Sequence, residues 1–145
     1  MSVVFFTDRD LGLQFPAILR DAGLSVERHT DHFSADCEDH VWLRDVAVRG
    51  WVALTHDARI RYKSNELSAV VRHKATLLVI VGKTPFADLA RHFVATLPLV
   101  LKFLHQHRPP VIGKVYRPSP AELARRARAT GRVELWYPKP KPSGA

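Results

Sequence analysis

Carboxylates set at the ends of apolar strands are the first residues in this chain that could do chemistry. The stretch "VVFFTDRDLG", residues 3–12, is an apolar segment followed by Asp8 and Asp10 on either side of Arg9. "WVALTHD", residues 51–57, repeats the arrangement and ends in Thr55 and Asp57. A third acid stands in "DCEDHVWL", where Asp39 precedes Trp42 by three residues and Leu43 by four. That spacing puts it on the same helical face as those two apolar side chains, one turn earlier. Asp8, Asp39 and Asp57 could therefore converge, and close carboxylates repel unless a proton or a cation intervenes. Oxygen donors without thiolates favour Mg²⁺ or Mn²⁺ over zinc. Such an ion activates water and stabilises the charge of a phosphodiester under attack, so the predicted chemistry is that of a nuclease. The Thr55 hydroxyl could orient a carboxylate or a water. Arg9, Arg59, Arg61 and Lys63 flank the acids in sequence and could hold substrate phosphates.

Other chemistries find less support. "HTDH" at 29–32 and "HQH" at 105–107 have ligand-like spacing, but neither comes with cysteines or the HExxH pattern that makes a zinc site specific. No Gly-rich phosphate loop and no GxSxG elbow occur, which removes P-loop NTPase and serine hydrolase readings. Cys37 is the one cysteine and cannot form an internal disulfide, in keeping with a reducing compartment, where it reads as a small half-buried filler.

The elements that must position the acids follow from hydrophobic pattern. "VVFFT" (3–7), "WVALT" (51–55) and "TLLVIV" (76–81) are short, apolar on both faces and rich in β-branched or aromatic residues, as buried parallel strands are. "LSVERH" (24–29) alternates more and is predicted nearer an edge, and "VIGKVYR" (111–117) is a fifth strand. Helices are predicted over 14–22, stopped by Gly23, over 36–49 with Asp36 as N-cap and Gly50 at its end, and after Ser64 with Leu67, Val70 and Val71. The longest is predicted from Thr84 as N-cap and Pro85 as first residue, through Leu89, Phe93, Leu97 and Leu101 to His105, with a kink at Pro98. "SPAE" sets Ser119, Pro120 and Glu122 as a capping box, and the helix it starts is predicted to close at Gly131 with a polar face of Arg125, Arg126, Arg128 and Arg132. Alternating strands and helices imply an α/β sandwich with a mostly parallel sheet, whose functional crevice lies at the carboxyl ends of the strands. Asp8, Asp10 and Asp57 fall there.

Length allows one compact domain, and no apolar stretch approaches the roughly 20 residues of a membrane span. The chain begins in a strand pattern without the features of a secretory signal, so a cytoplasmic location is expected. Charge is unevenly placed: residues 1–66 carry 11 Asp/Glu and 8 Lys/Arg, residues 67–145 carry 3 and 14. A basic back half suggests a polyanionic partner, nucleic acid before membrane.

In order and spacing, "VVFFTDRDLG", "DHF", "EDHVWL", "RGWVALTHDARIR" and "SNEL" resemble the PIN-like domains related to the VapC toxins of VapBC toxin–antitoxin systems, over roughly residues 3–115. The resemblance implies a PIN-like three-layer α/β/α sandwich, a Mg²⁺ or Mn²⁺ site and endoribonuclease activity on single-stranded RNA, held in check by a cognate antitoxin. By motif the ligating acids are Asp8, Asp39 and Asp57, with Asp10 and Thr55 in supporting polar positions. A fourth acid found in many such nucleases has no clear counterpart, and Glu66 in "SNEL" is the nearest substitute. Residues 1–118 are then the nuclease domain, 119–136 a basic helical extension that could bind RNA, an antitoxin or a second protomer, and 137–145 a Pro/Lys-rich flexible tail. Two other readings keep much of the sequence pattern: a non-catalytic RNA- or protein-binding module, and a haloacid-dehalogenase-like phosphatase suggested by the DxD of "DRDLG".

Overall fold

Alternation of side chains along the strands decides which helices lie on which face. Phe5, Leu54 and Leu78 point to one side of the sheet, and Phe6, Ala53 and Leu77 to the other, and all six are buried. A sheet apolar on both faces must be covered on both. The computed structural model describes residues 3–57, 59 and 64–139. Among them six strands form one sheet, β1 (Val4–Thr7), β2 (Ser25–Arg28), β3 (Val52–Thr55), β4 (Thr76–Val81), β5 (Val111–Tyr116) and β6 (Arg132–Tyr137). Their order is β2-β1-β3-β4-β5-β6, parallel except for the antiparallel β5–β6 pair. The more alternating strand β2 does lie at an edge, as its sequence predicts.

One face is covered by α1 (Gln14–Asp21) and α5 (Phe86–Gln106), whose Phe15, Leu19, Leu89 and Phe93 complete the first core. Between β2 and β3 come the short α2 (His29–His32) and then α3 (Asp39–Val48). α3 and α4 (Ser64–His73) cover the other face with Trp42, Leu43, Val46, Ala69 and Val70. This is the three-layer α/β/α sandwich with a mostly parallel sheet. No helix among the described residues is long and apolar enough to cross a membrane.

Several local expectations are corrected. α3 starts at Asp39 with Glu38 in the N-cap position; Asp36 lies outside the helix and accepts a 2.8 Å bond from Ser34 Oγ. α5 starts at Phe86 with Pro85 in the cap position, and the buried Thr84 hydroxyl caps nothing. The helix continues through Pro98, and beyond it Val100 and Phe103 are buried while Leu101 is 42% exposed. A strict four-residue repeat drifts about 40° per step around a 3.6-residue helix, so a stripe from Leu89 leaves the core by its fourth member. Val71 is likewise exposed, leaving its neighbour Val70 in the core.

The largest correction is C-terminal. Ser119 and Glu122 form the predicted capping box, but α6 (Pro120–Arg125) lasts less than two turns. The helix predicted to continue to Gly131 is replaced by an irregular return and then β6, in which Val133 and Leu135 pack against the first core. Gly131 is not a helix stop. A Cβ there would overlap the carbonyl of Tyr116, and its N–H donates to Thr96 Oγ1 at 2.8 Å. A residue without a side chain is what lets the chain pass close against β5. The tail reading of 137–145 falls largely on residues 140–145, which lie outside the described residues.

Candidate functional site

β1 and β3 are parallel neighbours, with Thr7 opposite Leu54, so the residues after each strand emerge at the same rim of the sheet. After β1 the chain turns at once. Asp8 Oδ1 accepts from the amide of Arg9 at 2.7 Å and opens a 3₁₀ turn over Arg9–Leu11, while the Asp8 amide donates to Leu54 O. Gly12, in the left-handed region at φ 70°, ends that turn. Asp8 and Asp10 are thereby fixed by backbone against the end of β3.

Thr55 holds this corner together. Fully buried, its hydroxyl lies 2.8 Å from Asp8 Oδ2 and 3.1 Å from Asp10 Oδ2, and accepts from the Asp57 amide at 3.2 Å. One hydroxyl has one hydrogen to give. Asp10 already receives the His56 amide, at 3.1 and 3.2 Å, so the Thr55 hydrogen serves Asp8 best. From α3, Asp39 Oδ1 accepts from Trp42 Nε1 at 2.9 Å, which shows the predicted shared face and fixes the carboxylate by a buried indole. Asp57 Oδ1 accepts from the Arg59 amide at 2.9 Å and from Arg59 Nε at 3.3 Å.

Asp8, Asp10, Asp39 and Asp57 line one cleft of about 470 Å³, together with Arg9, His29 and Cys37. Burial pushes the Asp8 carboxyl up to about 7, with the charges of Asp10 and Asp39 adding to the rise and the Thr55 and Arg9 hydrogen bonds opposing it. Asp10 is raised too, first by burial, against the bonds from His56 and Thr55 and with a further push from Asp57. Like charges are thus concentrated where water is scarce. Among the described residues, no three His, Cys, Asp or Glu side chains come together closely enough to form a ready metal cage.

The remaining expected site residues divide. Arg9 is exposed on the cleft wall. The Arg59 side chain is 82% exposed and reaches back to Asp57 Oδ1 through Nε at 3.3 Å. Arg61 and Lys63 lie outside the described residues. Glu66 sits in the first turn of α4 and is not among the residues that line the cleft. Two histidines join the site beyond the sequence expectations. His29, only 2% exposed, lines the cleft with Nδ1 buried and unpartnered, and burial followed by the Arg9 charge lowers its pKa against the opposing charge of Asp39. His56 donates through Nε2 to Gly82 O at 2.7 Å and packs edge-on against Phe86, tying the end of β3 to the loop after β4. The strand-end position of "THD" marks His56 in the sequence, whereas nothing in "HTDH" separates His29 from a surface histidine.

Comparison with known proteins bears on the same part of the chain. The family model described as "PIN like domain" matches residues 3–82, which take in Asp8, Asp10, Asp39, Thr55 and Asp57. A Mycobacterium tuberculosis protein named "Putative ribonuclease VapC45" is 30% identical over 103 residues, covering 67% of this chain and 75% of that protein. No solved structure matches the chain.

Proposed function

This chain belongs to the PIN-like domain family, and on that premise we propose that it is a Mg²⁺- or Mn²⁺-dependent endoribonuclease, the toxin of a two-component toxin–antitoxin pair. The observation that carries this reading is the cleft at the strand ends, which is lined by four aspartates from the ends of β1 and β3 and from α3, with the carboxyls of Asp8 and Asp10 pushed up by burial and by their acidic neighbours. A cluster of hard oxygen donors is suited to a hard divalent cation. Mg²⁺ is commonly held by one or two carboxylates, with water and substrate phosphate oxygens in the other positions, so a closed protein cage is not required. In this reading Asp8, Asp39 and Asp57 hold the ion. The ion supplies Lewis-acid stabilisation of the scissile phosphate and activation of the attacking water.

The chain's own residues do the positioning. Thr55 fixes the Asp8 carboxylate through its hydroxyl and the Asp57 backbone through its oxygen. Trp42 fixes Asp39. Asp10, bonded to the His56 amide, braces the turn after β1 against the end of β3. Arg9, on the cleft wall, offers a guanidinium to a substrate phosphate. An antitoxin is the expected protein partner, and a homodimer is one possible assembly.

The test is incubation of purified protein with single-stranded and structured RNA, with Mg²⁺, with Mn²⁺ and with chelator, beside an Asp8→Ala control. Cleavage of single-stranded RNA that needs the ion and is lost in Asp8→Ala is the expected result. Cleavage in chelator, or cleavage that survives Asp8→Ala, would sink the proposed site. A second reading, a non-catalytic RNA-binding module, is favoured by the lack of a three-ligand cluster among the described residues. It predicts RNA binding by wild type with no cleavage under any ion, and unchanged binding in Asp57→Asn.

A further inference from the structure

Next to the acidic cleft, α3 and α4 enclose a second concavity of about 380 Å³ with the opposite chemistry. Its walls carry His40, Arg44, Asn65, Ser68, Arg72 and His73, and no acid is among the lining residues. Helical spacing builds it. His40 and Arg44 are four apart on α3, and Asn65, Ser68 and Arg72 succeed one another at steps of three and four on α4, so each helix turns one polar stripe toward the other. Rotation of both helices is fixed from behind, because Trp42, Leu43 and Val46 of α3 and Ala69 and Val70 of α4 are buried in the second core. The groove begins at His40, one residue from Asp39 of the cleft.

Little inside the protein neutralises these cations. Arg44, with half its side chain in solvent, reaches Asp45 Oδ1 only at 3.7 Å, and His40 Nδ1 lies 3.3 Å from the exposed Glu38. Neither Arg72 nor His73 has an ion pair among the described residues. Basic groups gathered along one concavity make a local positive field that attracts an anion, and a chain of phosphates brings several charges at once. An acidic protein surface would call for apolar anchor pockets, yet the lining is polar apart from the buried Ala69. A nucleic acid backbone needs only cations and hydrogen-bond donors, and the Asn65 amide and Ser68 hydroxyl add the latter.

We propose that the α3–α4 groove binds the phosphodiester backbone of single-stranded RNA beyond the scissile bond, leading the strand into the acidic cleft. This rests on the ribonuclease reading and extends it to a strand path along Arg44 and Arg72, residues separate from the Arg9, Arg59, Arg61 and Lys63 cluster. Selectivity would then come from strand continuity over cleft and groove, with a short oligonucleotide using the cleft alone.

The test uses the full chain carrying Asp8→Asn, so that RNA is bound and not consumed. Affinity for a fluorescent single-stranded oligoribonucleotide is read by anisotropy across a salt series. Arg44→Glu with Arg72→Glu is expected to weaken binding roughly tenfold and to flatten the salt dependence by about 0.7 in slope for each phosphate that the protein no longer neutralises. Arg44→Lys with Arg72→Lys keeps the charge and should keep most of the affinity, which separates charge reversal from misfolding. Arg125→Glu with Arg126→Glu makes the same charge change on the exposed α6 and is the comparison. Equal weakening by the groove and α6 reversals, or none from the groove, overturns the proposal. So does an equal loss of poly-glutamate binding by RNA-free protein, which would mark a protein-facing patch. Groove-dependent RNA binding by a wild-type protein that cleaves nothing with Mn²⁺ would instead sink the nuclease reading and leave the backbone site in place.

Discussion

At the strand ends Asp8, Asp10, Asp39 and Asp57 share one cleft, and burial with mutual repulsion pushes Asp8 up to about 7. Along the C-terminal arm, Arg125, Arg126 and Arg128 are spread through solvent, and Arg132 rests on the Tyr116 ring at 4.2 Å and bonds Glu134 at 3.0 Å. Both regions concentrate one sign of charge, but only the first holds it half-buried. Exposed like charges cost little and carry no inference about function on their own. Buried like charges destabilise the fold, so a chain that keeps them, braced by Thr55 and Trp42, has a use for the field they make. A site differs from a charged surface in the environment of its charge rather than in the amount.

Asp8→Asn should erase that difference with the largest effect. In the nuclease reading it removes a ligating charge, and RNA cleavage is expected to fall by about 100-fold or more, on the scale of losing one transition-state-stabilising group. Stability should move the other way. A carboxyl raised to about 7 in the fold keeps its proton while the unfolded chain, ionising at its ordinary lower pKa, has lost it. Wild-type stability without divalent ions should therefore decline as pH rises from about 4 to 7, at up to about 1.4 kcal/mol per pH unit, and level off above that window. Asp10, also raised, adds a contribution of the same sign. Mn²⁺ favours the ionised form and should restore melting temperature near neutral pH. Asp8→Asn should show a flatter profile and less response to the ion. Parallel melting curves for wild type and variant over this range would mean that Asp8 is not held in a destabilising environment.

Thr55→Val probes the same contrast at intermediate size. The substitution keeps shape and burial but strips the hydroxyl that serves Asp8 and Asp10 and leaves the Asp57 amide without its acceptor. A loss of about 1–3 kcal/mol in stability is expected from unsatisfied buried groups. Cleavage should fall about 10–100-fold, as when the hydrogen-bond partner of a metal ligand is removed. Thr55→Ser, which retains the oxygen, should recover most of both in denaturant melts and RNA assays. If Thr55→Val cleaves RNA at the wild-type rate, the hydroxyl does not position the acids.

The same two regions differ in how much of them could be read from sequence. Asp8, Asp39 and Asp57 are marked locally, two by their place after apolar strands and one by its offset from Trp42, and the fold brings all three to one cleft as expected. The sandwich was legible because Phe5/Phe6, Ala53/Leu54 and Leu77/Leu78 are apolar on consecutive positions, which only a sheet covered on both faces tolerates. His29 and the α3–α4 groove were not, since the first depends on what packs over a short helix and the second on the mutual rotation of two helices. In the arm, "SPAE" announces a helix start correctly, but nothing local says that it ends at Arg125. Gly131 reads as a stop in sequence and is a clearance in three dimensions, set by the neighbouring carbonyl of Tyr116.

Ser119→Ala, with the smallest expected effect, asks whether the arm belongs to the site at all. Ser119 Oγ accepts from the Glu122 amide at 3.2 Å, and Glu122 Oε1 accepts from the Ser119 amide at 3.2 Å. Those bonds hold the Glu122 carboxyl below its usual range, with the Ser119 amide the leading cause and the Arg125 and Arg126 charges further down. Removing the hydroxyl leaves one N-terminal amide of α6 to water, a loss that typically lowers melting temperature by a few degrees in a chain of this size. The shift should largely persist in acid, because the lost bond joins two neutral groups, while protonation of Glu122 weakens the reciprocal half of the box in wild type and variant alike. α6 lines none of the acidic cleft or the α3–α4 groove, so RNA cleavage and the salt dependence of RNA binding should be unchanged. A fall in cleavage comparable to that of Thr55→Val would place the arm in the catalytic unit, and charge in solvent would then no longer distinguish the two regions.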